Sequence, residues 1–199
     1  MKVAVVKYNA GNIHSVMNAL KRVGVEPILT DNADELRGAD RVVFPGQGEA
    51  SHAMSYLRSH GLDQVIYSLT QPVLGICIGQ QLMCEHSEEG DVDCLGIFPA
   101  NVSRFRPQCH EQKVPHMGWN QLELEDIKDS LLKGLDEGAF AYFVHSFYVP
   151  VCDFTIATTQ HILPFSAAMR KGNFMATQFH PEKSGSVGER ILTNFLGAI

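Results

Sequence analysis

The chain has no apolar run long enough to cross a bilayer and no Lys/Arg-rich amphipathic segment, which argues against a membrane protein. It also lacks an excess of basic residues. The formal charge is −6, with Lys and Arg scattered rather than striped, so a nucleic-acid partner is not expected. The apolar run within Met1-Lys2-Val3-Ala4-Val5-Val6-Lys7 is far too short for a signal peptide. The five cysteines (77, 84, 94, 109, 152) are odd in number and irregularly spaced, and no C-x-x-C occurs. That excludes a disulfide framework and points to a reducing, cytoplasmic location. His110 and His116 form no recognisable metal spacing with the cysteines, so neither metal nor other cofactor is expected. Apart from Cys77, the cysteines are expected to be packing residues. What remains is an ordinary globular composition: 199 residues, 45% apolar and 9% aromatic, without linker, repeat or low-complexity tract. A single domain over 1–199 is the simplest reading.

The first half alternates in period. Val3 to Val6 reads as a buried strand and Asn12 to Val23 as a helix with Ile13, Val16, Met17, Leu20 and Val23 on one face. Strands at Glu26–Thr30 and Arg41–Phe44 follow, then helices at Ala50–Ser59, with Met54 and Leu57 inward, and Gln64–Thr70. Val73 to Ile76 is a strand and Gln80 to Glu85 a helix. Past Cys94 the chain is richer in β-structure, with strands predicted at 96–105, 119–123, 141–148, 155–161 and 166–169 and a closing helix at 184–196. The order predicts an α/β fold with a doubly wound, mostly parallel sheet that binds ligands at its C-terminal strand ends.

Gly75-Ile76-Cys77-Ile78-Gly79-Gln80-Gln81 carries the chemistry. G-x-C-x-G after an apolar strand has the spacing of a nucleophile elbow. The turn is strained and its flanks crowded, which is why glycines stand there. The following helix start favours the thiolate. A buried structural cysteine at a strand end is the alternative. Near the C-terminus, Phe174 to Phe179 reads as a strand that delivers His180, followed by Pro181 and Glu182. A cysteine nucleophile needs a base, and the base needs an acceptor to fix its tautomer. His180 and Glu182 fit those roles; equally, a histidine closes a strand and Pro-Glu opens a helix. Pro45-Gly46-Gln47-Gly48 lacks the lysine of a phosphate loop and is too short for G-x-G-x-x-G. It reads better as one side of an oxyanion hole, with the N–H groups of Gln47 and Ile78 as donors, or as a plain turn.

P-G-Q-G, G-I-C-I-G-Q-Q and F-H-P-E, in this order, resemble the class I glutamine amidotransferase family across nearly the whole chain. Three further stretches, Y-N-A-G-N-I-H-S (8–15), V-P-H-M-G-W-N (114–120) and Y-F-V-H-S (142–146), resemble its branch that serves imidazole glycerol phosphate synthase in histidine biosynthesis. The resemblance implies a flavodoxin-like α/β fold and a glutaminase that passes ammonia to a separate cyclase subunit, a (β/α)8 barrel. It implies Cys77 as nucleophile, His180 as base then acid, and Glu182 as orienting carboxylate. It places Gly46, Gly48, Gln81, His145 and Ser146 at the substrate, though Gln81 also reads as a helix-surface residue and His145 as a satisfied strand histidine. Phe147 stands where related chains often carry tyrosine. Asn12, Trp119, Tyr142 and Lys183 match positions near the partner interface or ammonia exit; Trp119 also reads as core, and Lys183 as a solvated lysine opening a helix. Another class I glutaminase, such as that of vitamin B6 synthesis, and a stand-alone cysteine amidohydrolase are the rival readings.

Overall fold

Val3 to Val6 are all buried, yet alternate residues face different neighbours. Val3 and Val5 pack with helices on one side of the sheet, Ala4 and Val6 with helices on the other. A parallel strand covered on both faces reads as a continuous apolar run for this reason. In the computed structural model, which describes residues 1–8, 13–46 and 48–197, this pattern builds three layers.

The first half runs β1 (Val3–Val6), α1 (Ile13–Arg22), β2 (Ile28–Thr30), α2 (Ala33–Arg37), β3 (Arg41–Phe44), α3 (Ala50–Ser59), α4 (Leu62–Tyr67), β4 (Val73–Ile76) and α5 (Ile78–Leu82). Short strands β5 (His86–Ser87), β6 (Val92–Asp93) and β7 (Asn101–Arg104) follow. Then come β8 (His116–Gln121), β9 (Glu123–Leu124), β10 (Phe140–His145) and β11 (Phe147–Tyr148). The chain closes with β12 (Thr155–Gln160), β13 (Pro164–Lys171), β14 (Phe174–Thr177), a 3-10 turn (Pro181–Lys183) and α6 (Gly185–Gly197).

Eight strands form the central sheet in the order β2-β1-β3-β4-β14-β13-β12-β9. From β2 to β14 the pairs are parallel, and from β14 outward they are antiparallel. The α/β expectation holds, with a parallel half and an antiparallel half. Helices α1 and α6 cover one face through Val16, Leu20, Ile191 and Phe195. Helices α3 and α4 cover the other through Met54, Leu57, Leu62 and Ile66. The antiparallel ribbon β8–β10 and a four-stranded sheet β11-β7-β5-β6 lie outside the main sheet.

Several predicted boundaries move. The second strand begins only at Ile28, after Pro27, which has no N–H to give a ladder. The predicted strand 96–105 shrinks to Asn101–Arg104, because Gly96 sits at φ 66° and turns the chain. The helix expected from Gln80 starts at Ile78, directly after Cys77. Helix α2 is absent from the sequence-based expectation; Asn32 caps it by accepting from the N–H groups of Asp34 and Glu35. Cys84 is buried, as a packing residue should be, and Cys94 and Cys152 are half-buried. Cys109 departs from that expectation and is exposed. Among the described residues, no helix is long and apolar enough to cross a membrane.

Helix α6 reaches the His180 turn through a glycine. A Cβ on Gly188 would stand 1.8 Å from the Pro181 carbonyl oxygen, which is backbone and cannot swing aside. Gly188→Ala should therefore push the helix off the turn and destabilise the fold by roughly 1–3 kcal/mol. Denaturant unfolding checks this, and an unchanged midpoint would show that the helix slides at no cost.

Candidate active site

The turn after β4 is held in a conformation that L-residues avoid. Cys77 has φ 54° and ψ −109°, a strain that costs of order 1–3 kcal/mol. Its N–H donates to Thr177 O at 2.7 Å, a last rung between β4 and β14. The flanking glycines are required by crowding. A Cβ on Gly75 would lie 2.9 Å from the Gly79 carbonyl, and one on Gly79 would lie 2.2 Å from Phe44 O. Gly46 has the same reason to be glycine, since its Cβ would stand 2.0 Å from Ile78 Cγ2 and 2.6 Å from Gly79 N. The strand, the turn and the Pro45 loop therefore pack backbone to backbone, with Cys77 at the apex and 8% exposed.

His180 follows β14 and enters the same space. Its Nδ1 bonds Glu182 Oε1 at 2.8 Å, and both side chains are buried. Among the described residues its Nε2 has no conventional hydrogen-bond partner, but Cys77 is close enough to act on its charge. Burial opposes a charged ring. The Cys77 sulfur and the Glu182 carboxylate outweigh it and raise the His180 pKa to about 10. The turn is bolted to β10. His180 N–H donates to Tyr142 O at 2.9 Å, Tyr142 N–H donates to Ser184 Oγ at 2.9 Å, and Ser184 Oγ donates to His180 O at 2.7 Å.

Cys77 and His180 open onto a cavity of about 360 Å³. Gly48, Ile78, Gln81, Tyr142, His145, Ser146 and Lys183 share its wall, so the structure gathers most of the sequence-derived candidates in one place. Gly48 sits at φ 141°, which favours glycine. Gln47 and Asn12 lie outside the described residues. Gln81 is buried, not on a helix surface; its Nε2 donates to Phe147 O at 3.0 Å and to Gln178 Oε1 at 2.9 Å. His145 is satisfied within the protein, with Nδ1 on Phe147 O at 2.6 Å and Nε2 on His116 Nδ1 at 2.9 Å. Burial lowers its pKa to about 3, so it is neutral and serves as wall. Trp119 is not core: it is 57% exposed, edge-on to Tyr142 at 6.0 Å, and Lys183 Nζ lies 5.8 Å from the Tyr142 ring centre.

Three residues of the site are given no role of their own by the sequence, although Tyr8 opens the stretch 8–15 and Gln178 lies in the strand predicted over 174–179. Glu89 lines the cavity, accepts the Ala50 N–H at 3.1 Å, and has its carboxyl pKa raised by burial. Tyr8 is buried and donates to Pro45 O, tying the end of β1 to the Pro45 loop; burial, with Cys77 adding to it, raises its phenol pKa. Gln178 is fully buried beside Cys77. An aromatic and an amide at strand ends are visible in the sequence, but nothing local marks Glu89.

The family profile described as Glutamine amidotransferase class-I matches residues 4–199. The chain belongs to the class I glutamine amidotransferases. Among relatives in this family, imidazole glycerol phosphate synthase subunit HisH of Bacteroides thetaiotaomicron is 63% identical over 98% of this chain and 99% of its own length. The subunit of the same name from Idiomarina loihiensis is 44% identical over 98% of this chain and 97% of its own. Of solved structures, the glutaminase domain of Trypanosoma brucei CTPS with bound acivicin shares the fold with a TM-score of 0.68 at 16% identity, covering 100% of this chain and 93% of the other. A solved glutamine amidotransferase shares it with a TM-score of 0.74 at 20% identity, covering 98% of this chain and 97% of the other.

The charge on His180 gives a direct test of its pairing with Glu182. Glu182→Gln removes a carboxylate that favours the imidazolium, so the His180 titration should move down from about 10. With the folded value above the ordinary histidine value of about 6.5, the stability that this pairing adds is complete below that pH and lost as pH rises through the folded value. Ring-proton NMR against pH reads the shift; an unmoved midpoint would remove Glu182 from the role.

Proposed function

We propose that this chain is the glutaminase subunit of an imidazole glycerol phosphate synthase and hydrolyses L-glutamine for a cyclase partner. One observation carries the reading. Relatives of that name, 61% and 63% identical over nearly their whole length, coincide with a Cys77–His180–Glu182 arrangement that opens onto a substrate-sized cavity. His180 takes the Cys77 proton, Cys77 Sγ attacks the side-chain amide carbon of glutamine, and the charge on oxygen falls to the N–H of Ile78 and to that of Gln47, which the family resemblance assigns to this role. His180, oriented by Glu182, gives a proton to the amide nitrogen, and ammonia leaves. A glutamyl thioester remains. His180 then takes a proton from water, the hydroxide cleaves the thioester, and glutamate departs with the sulfur free again. Gly46 and Gly48 keep the loop close to the turn, and Gln81, His145 and Ser146 line the space for the amino-acid end. Glu89 is the carboxylate on that wall that matches an α-ammonium group.

The partner is the cyclase subunit, a separate (β/α)8 barrel, in a heterodimer. It uses the ammonia to form imidazole glycerol phosphate and aminoimidazole carboxamide ribotide. Met117 and Trp119 project from the same face of β8, both well exposed, next to Tyr142 and Lys183 at the mouth of the cavity. Exposed aromatics of this size beside a catalytic turn suit a docking face. This is where the partner would sit and ammonia leave, an interface to which the family resemblance also assigns Asn12.

A glutamine-like electrophile should label Cys77 and spare Cys84, which is buried, and Cys109, which is exposed but does not line the cavity. Cys77→Ala should abolish glutamate release while the cyclase still co-purifies. Residual turnover in that variant would remove the nucleophile from the scheme. A glutaminase assay with and without the purified cyclase separates this protein from a stand-alone amidohydrolase, which would run at full rate alone.

Lys183 offers a second measurement. Its ammonium stands over Tyr142 directly after Glu182. Lys183→Ala should weaken stimulation by the cyclase, or affinity for it, more than basal turnover. A variant stimulated as fully as wild type would limit Lys183 to a solvated surface lysine.

A further inference from the structure

The sulfur of Cys77 has a side-chain donor that the Cys-His-Glu scheme does not use. Gln178 Nε2 lies 3.6 Å from Cys77 Sγ, and the Gln178 side chain is wholly buried. Strand register puts it there. Thr177 pairs with Ile76 across β14 and β4, so the next residue on each strand, Gln178 and Cys77, are neighbours.

A carboxamide can present either end to a neighbour, so its orientation has to follow from its partners. Here a carbonyl that can only accept decides it. Gln81 Nε2 lies 3.0 Å from Phe147 O and is therefore the amino end. Its second hydrogen goes to Gln178 at 2.9 Å, which must present Oε1. The end left for the sulfur is the NH2 group. The same carbonyl fixes the histidines. His145 Nδ1, 2.6 Å from Phe147 O, carries the proton, so its Nε2 accepts from His116 Nδ1 at 2.9 Å. His116 Nε2 then accepts from Asn120 Nδ2 at 3.1 Å. Every donor and acceptor along this buried chain agrees in direction.

Gln178 is an expensive residue to bury unless both ends are used, and an apolar side chain of the same volume would pack there without that demand. We propose that Gln178 is a dedicated hydrogen-bond donor to the Cys77 sulfur, aimed by Gln81 and the Phe147 carbonyl, which holds the sulfur as thiolate and in line with the cavity. This rests on the reading of Cys77 as nucleophile. As a thiol, Cys77 points its S–H toward Val144 O at 3.9 Å. Loss of the proton exchanges that weak contact for N–H···S⁻. The titratable groups around the sulfur are His180 and Glu182 from the C-terminal turn, Tyr8 from the end of β1 and His145 from β10, with Glu89 and Lys183 on the cavity wall. His180 supplies charge, while Gln178 supplies a fixed direction.

The test reads the sulfur directly. Gln178→Met keeps the volume and removes the donor; Gln178→Glu keeps the shape and the bond from Gln81 but turns an oxygen toward the sulfur. In both, iodoacetamide alkylation of Cys77, located by peptide mapping, should shift its pH midpoint upward. At neutral pH the rate should fall about tenfold in Gln178→Met, the size of one hydrogen bond to a charged group, and further in Gln178→Glu. A merely structural role would lower the melting temperature and leave the midpoint in place. If either variant fails to fold, the wild-type protein still answers: the Gln178 side-chain amide signals should titrate with Cys77 alkylation and stop titrating in Cys77→Ala. Selective labelling of Cys77 with wild-type profiles in both variants, or amide signals that ignore pH, would overturn the donor role and leave the nucleophile intact. Absence of selective labelling in wild type, with turnover kept in Cys77→Ala, would overturn both.

Discussion

Strands β4 and β14 lie side by side and parallel, with Ile76 opposite Thr177. Parallel neighbours end at the same edge of a sheet, so whatever follows each strand emerges in one place. Cys77 follows one and His180 the other. The rung from Cys77 N–H to Thr177 O fixes how far each strand runs before it turns. A slip of one residue would exchange the two faces of β14 and carry Gln178 away from the sulfur. The Ser184–Tyr142 clamp and the packing of α6 through Gly188 then hold the histidine at that edge.

Within the cavity, imidazoles of one chemistry are driven in opposite directions. His180 faces a carboxylate and a sulfur and is raised to about 10. His145 is packed among the rings of Phe105, Phe143 and Phe165, and burial takes it down to about 3. The first stays protonated through neutral pH. The second is a neutral donor whose only variable is its tautomer, and the Phe147 carbonyl removes that freedom. Environments that push like groups apart separate proton transfer from positioning.

Local pattern made much of this legible. Glycines 75 and 79 were readable because backbone crowding leaves them no substitute. Strands β1, β3 and β4 were readable because burial on both faces forces unbroken apolar runs. Helix α2 was not, since five residues with one buried leucine carry no period. Strands β5 and β6, two residues each, are defined by their neighbours. Gln81 and Gln178 show the deeper limit. Their partners lie 66, 97 and 101 positions away in sequence, and a buried amide looks like a surface amide until those partners are known. Trp119 is the converse case, an aromatic whose exposure depends on which side of the β8–β10 ribbon faces the sheet.

The backbone at Cys77 bears on how such a chain evolves. A residue at φ 54° and ψ −109° would be relieved by glycine, which adopts that region without a steric cost. Selection for folding alone therefore favours replacing the cysteine, and on the proposed reading of Cys77 as nucleophile the glycine variant is a sounder but inert protein. On that reading, a lineage that no longer needed the reaction would lose the sulfur early and keep the fold long afterwards, because stability at this apex argues against cysteine.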